Sequence, residues 1–116
     1  LSRQMITTWI LEGLSSWIGE LYSWVSPQPM DMIRINESKN LLQDEKKELL
    51  EIIDRIMYLV RKNKRIAFKG FVKQEEADFI DELASFSKEK FRPVMLKYHE
   101  KFEQVWKNEF SKEKKE

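Results

Sequence analysis

Apolar residues recur at helical steps along most of this chain. From the start, Ile10, Leu14, Trp17, Leu21 and Trp24 follow at steps of four and three, with Leu11, Ile18, Tyr22 and Val25 beside them. At about 100° per residue these positions make one broad stripe, which predicts a single amphipathic helix from Leu1 to Val25. Trp17 and Trp24, about 20° apart by that step, should share a buried face, while Trp9, about 80° from Trp17, should look elsewhere. The remaining side holds Thr8, Glu12, Ser15, Ser16, Gly19, Glu20 and Ser23. Ser15, Gly19 and Ser23 fall one turn apart, and Gly13 and Gly19 each cost about 1 kcal/mol against alanine inside a helix. Close approach of a second helix is the expected compensation.

The pattern then breaks. In SPQPMDMIRINESKN, Pro27 and Pro29 stop the first helix and hold the backbone extended, and the stretch is expected to be a loop packed along the bundle with at most one helical turn. Asn36, Ser38, Asn40 and Asp44 are candidate N-caps for the next helix, Asn40 with Gln43 offering a capping box. Leu42, Leu49, Ile53, Ile56 and Val60 carry its apolar stripe. This helix ends near Asn63, or runs to Lys69 with Gly70 closing it in a left-handed conformation. From Lys73 to Phe110 the pattern is helical throughout, with Ala77, Ile80, Ala84, Phe91, Met95, Tyr98, Phe102 and Val105 in one phase across Pro93. Pro93 either kinks that helix or opens a new one. The expected fold is all-α: an antiparallel helical bundle of three long helical segments, four if the last breaks at Pro93, with no sheet. Residues 1–112 form one domain and 113–116 a frayed polar tail.

Composition narrows the reading. No cysteine is present among the 116 residues, so disulfides and thiol chemistry are excluded. Charges are abundant but balanced, 21 Lys plus Arg against 20 Asp plus Glu, so no global field draws in nucleic acid or an anionic membrane. The first helix is long enough to raise the question of a bilayer, yet Glu12 and Glu20 lie inside it without evident partners, which argues against a membrane span. The expected compartment is the cytoplasm, and since the sequence begins at Leu1 a preceding segment stays open. In outline, the helix pattern resembles small archaeal proteins of an uncharacterised family that form antiparallel helical bundles. That resemblance implies a bundle that assembles further and carries over no functional residue.

Four groups of residues are candidates for chemistry. Arg61, Lys62, Lys64 and Arg65, followed by Lys69 and Lys73 and interleaved with Phe68 and Phe71, form a basic run with no acid inside it. Such a composition suits phosphates and stacked bases. The same run closes one helix, where the macrodipole favours cations, and Glu75, Glu76, Asp78, Asp81 and Glu82 open the next, where it favours anions. Mutual neutralisation is the favoured expectation and nucleic-acid contact the alternative. His99, the only histidine, has Glu103 one turn on, but neither a Glu-x-x-His nor a His-Glu-x-x-His spacing surrounds it, so no metal and no cofactor is expected. Arg92 and His99, in RPVMLKYH, are similar to the arginine-spacer-histidine signature of helical ribonucleases of the HEPN superfamily, where this chain has Pro93 after the arginine. That resemblance implies metal-independent RNA cleavage, with His99 activating a 2′-hydroxyl and Arg92 stabilising the phosphate. Glu12 and Glu20 are either solvated on the thin polar stripe or perturbed carboxylates suited to acid-base work.

The favoured expectation is a non-enzymatic, self-associating bundle, a dimer or tetramer, with Trp9, Trp17 and Trp24 as interface anchors. No small-molecule ligand is implied.

Overall fold

In a computed structural model the backbone is described for residues 2–70 and 72–115, with side chains described as far as Lys112. All regular structure among them is helical, as α1 (Arg3–Ser15), α2 (Ile18–Val25), α3 (Met32–Ser38), α4 (Gln43–Lys69), α5 (Lys73–Phe86), a π-helical turn (Ser87–Phe91) and α6 (Arg92–Lys115). These build three rods: α1 with α2, then α4, then α5 through α6. Ion pairs fix the second rod antiparallel to the third, Lys62 meeting Glu82 near one end and Lys101 meeting Glu45 near the other. The first rod lies antiparallel to α4, with Thr8 level with Asn63. The bundle measures 63 × 25 × 23 Å.

The first rod is interrupted where the sequence predicts continuity. Trp17 N–H bonds to Leu14 O at 3.2 Å, three residues back, and Ser16 Oγ donates to Gly13 O at 2.7 Å. A serine bonding back to the preceding turn, next to a glycine, is a recognised way to bend a helix. Leu1, the expected start of this helix, lies outside the described residues.

The connector is more ordered than expected. Asp31 Oδ1 accepts the Arg34 N–H at 3.0 Å and caps α3, which makes two turns and buries Glu37 and Ser38. Asn40 does not cap α4: its amide donates to Asn36 O at 2.7 Å and closes α3. Position 42 starts α4, where Glu45 Oε1 accepts the Leu42 N–H at 2.9 Å. Leu42 is therefore exposed rather than part of the apolar stripe, and Leu41 is buried instead. At its far end α4 runs to Lys69, with Gly70 at φ 105°, a conformation that glycine adopts without steric cost.

The third rod corrects the expected single phase. Its buried residues are Phe79, Leu83 and Phe86 in α5, then Val94, Met95, Tyr98 and Phe102 in α6, while Ala84 is exposed. Phe86 and Phe91 are five residues apart, which would place them about 140° apart on an α-helix. The π-helical turn, with Arg92 N–H bonding to Ser87 O, brings them to one side with ring centroids 6.2 Å apart. It also relieves Pro93, which lacks the N–H that a regular helix would require and whose ring crowds the preceding turn. Pro93 neither breaks the rod nor leaves its register intact. α6 continues through Lys115 into the tail; Glu116 lies outside the described residues.

Candidate interaction surface

One end of the bundle is tied by a buried carboxylate. Glu37 Oε1 accepts the Trp24 indole N–H at 3.1 Å and an Arg34 guanidinium N–H at 3.2 Å, and its Oε2 accepts the Trp106 indole N–H at 2.9 Å. Arg34 also reaches Glu20 at 3.8 Å, so Glu20 is paired rather than simply solvated. The sequence gives one hint of this arrangement: a buried tryptophan needs an acceptor for its N–H, and Glu37 was not among the expected site residues.

The tryptophans named as interface anchors divide. Trp24 is 1% exposed and fully used inside the chain, and Trp17 is half-buried. Both stand nearly perpendicular to the His99 ring, with centroids at 5.6 and 5.4 Å. Trp9 remains 55% exposed, and Met5, one turn before it, 45%. Glu12, Gly13, Ser16 and Gly19 lie at least partly exposed along the same rod. A Cβ added at Gly13 or Gly19 would meet nothing within 4 Å, so the close helix approach expected at these glycines does not occur within the chain.

Half of the basic run is paired with acids of α5. Lys62 pairs with Glu82 at 2.7 Å, and Arg65 and Lys69 with Glu75 at 3.6 and 3.4 Å. The Glu82 hydrogen bond raises the Lys62 pKa above its ordinary value. Arg61 and Lys64 are exposed and make no ion pair among the described residues. Phe68 projects from the last turn of α4, 91% exposed. Phe71 lies outside the described residues.

Arg92 and His99 are both exposed on α6, two turns or about 10 Å apart along the axis. Among the described residues, no three His, Asp or Glu side chains gather as a metal site, and no helix is long and apolar enough to cross a membrane. A surface cleft of about 410 Å³ opens between α4 and the π-helical turn, with Ile52 and Phe86 on its floor and Glu51, Arg55, Glu82 and Glu89 around it. No family model, curated protein or solved structure matches this chain.

Proposed function

We propose that this chain is a self-associating helical bundle, a non-enzymatic interaction protein that meets a second copy through its first rod. The observation that supports this reading is Trp9, more than half exposed beside Met5 on a rod whose glycines face open space. Fully burying one large apolar side chain is worth about 1.5–3 kcal/mol, and glycines without a Cβ let another helix approach closely enough to do so. A lipid surface fits less well, since an interfacial helix wants basic residues on its flank and this face carries Glu12. Twofold pairing of like surfaces is the commonest way such a face is covered.

Sedimentation velocity across the micromolar range tests the proposal. The expected result is a concentration-dependent species of twice the protomer mass, weakened by Trp9→Ala. A monomer at every concentration would overturn it.

A second reading rests on α6, where Arg92 and His99 are both open to solvent and the His99 ring stands nearly perpendicular to two indoles. It makes the protein a metal-independent ribonuclease. Cleavage of single-stranded RNA in the presence of a chelator, lost in His99→Ala and Arg92→Ala, is the expected result. Cleavage that survives either substitution removes this reading.

A further inference from the structure

Ion pairing sorts the cations in the C-terminal part of α4 into two groups. Lys62, Arg65 and Lys69 turn towards α5 and are held by Glu82 and Glu75. Arg61 and Lys64 make no ion pair among the described residues and keep their charges free for an external partner. At about 100° per residue, Arg61, Lys64 and Phe68 fall within about 60° of one another, a single stripe about 10 Å long. Lys64 also lines a cleft of about 230 Å³ between α1, α4 and α5, with Arg3, Gln4, Thr8 and Asn63, and with Glu76 on its acidic side. Arg3 is steadied there by donating to Lys73 O at 3.2 Å.

We propose that this stripe and the adjoining cleft bind single-stranded nucleic acid, with Arg61, Lys64 and Arg3 on phosphates and Phe68 stacked on a base. The aromatic ring decides the class of partner. Tyr58 already has Arg55 and Lys62 over its ring, at 5.6 and 5.7 Å, whereas Phe68 is 91% exposed and makes no ring contact among the described residues. A free aromatic face on one stripe with two unpaired cations matches a strand whose bases are unstacked and whose backbone is anionic. A duplex hides its base faces, and an acidic peptide would use the cations but leave Phe68 idle. Because the whole chain carries a net charge of only +1, the attraction is local and short-ranged.

The test is fluorescence anisotropy of a labelled oligouridylate titrated with the full chain at several salt concentrations. Three phosphate contacts predict a slope of log affinity against log salt of about −2. Arg61→Ala and Lys64→Ala should each make that slope shallower by about 0.7. Phe68→Ala should leave the slope unchanged and weaken binding about fivefold or more. All three side chains are exposed, so the variants should keep the helical circular dichroism of the parent. No binding at low salt with about 10⁻⁴ M protein, where even non-specific complexes form, would overturn the proposal. So would binding unchanged in the triple variant, or displacement by polyglutamate as readily as by unlabelled RNA.

Discussion

Trp106 on α6 donates its indole N–H to Glu37 on α3 at 2.9 Å, joining residues 69 positions apart in the chain. Trp24 on α2 donates to the other carboxylate oxygen, so one buried side chain holds three helices. Two indoles and a guanidinium can all donate to Glu37 only because a carboxylate is acceptor-only and offers two oxygens.

Glu37→Gln should therefore be costly although it preserves shape. An amide offers one oxygen and turns donors towards the other indole, leaving an N–H without an acceptor, at about 1–3 kcal/mol. Glu37→Ala should cost more, since it also leaves a cavity beside Trp24. Urea unfolding followed by tryptophan fluorescence measures both. A Glu37→Gln protein as stable as the parent would show that this junction contributes little.

The opposite flank of α6 makes stability depend on pH. Tyr98 donates to Glu48 Oε1 at 2.6 Å, and Lys97 and Lys101 donate to Glu48 and Glu45 at 3.0 and 2.6 Å. The Tyr98 hydrogen bond and the nearby lysines hold the Glu48 carboxyl below its ordinary pKa. Burial works against ionisation of Glu45, but the Leu42 N–H and Lys101 outweigh it. Both carboxyls have lowered values in the fold, so their contribution is present above about 4.5, the ordinary value, and is lost as pH falls through the folded values. Burial, with the Glu48 charge, pushes the Tyr98 hydroxyl up, so stability also declines as pH rises past about 10. Tyr98→Phe should cost about 1.5–3 kcal/mol near neutrality and flatten the alkaline decline. Melting temperatures across pH measure both arms, and an unchanged alkaline arm would contradict the assignment.

The π-helical turn should absorb a deletion that the rest of the rod cannot. Removing exposed Lys88 leaves Phe86 and Phe91 four apart, the spacing at which an α-helix stacks them on one face. That variant should fold with stability within about 1 kcal/mol of the parent, because the lost residue is the one that widens the turn. Removing Asp81 in α5 would instead rotate Phe79 against Leu83 and Phe86, and should abolish cooperative unfolding. Equal damage from the two deletions would argue against this account of the turn.

The helical class and the three rods follow from periodicity, because burying one apolar stripe per helix is what chiefly stabilises a bundle of this kind. Gly70 was legible only as one of two ends for α4, and the structure takes it over Asn63. Features set by single side chains were not legible. The bend at Ser16 depends on a hydroxyl choosing the Gly13 carbonyl over water, and the start of α4 on Glu45 reaching back to Leu42. The five-residue step from Phe86 to Phe91 stood in the sequence, but the single phase expected across Pro93 passed over it, because a π-helical turn leaves no periodic signal of its own. At the candidate surface, Trp9 could be separated from Trp17 by angle alone, whereas the sorting of Arg61 and Lys64 from Lys62 and Arg65 required knowing where Glu75 and Glu82 sit.

Gly13 and Gly19 give the first rod its last test. Neither has a positive φ, and an added Cβ meets nothing at either position, so Gly13→Ala should stabilise the chain by up to about 1 kcal/mol through helix propensity, and Gly19→Ala by less, since Gly19 is the second residue of α2. Gly13→Leu should fold equally well, since its side chain has open space to occupy. The larger residue lies on the same exposed side as Trp9, so it should weaken association by holding the two rods apart. Chemical denaturation reads the first effect and sedimentation the second. Association untouched by Gly13→Leu, in a protein that does form dimers, would move the interface away from α1.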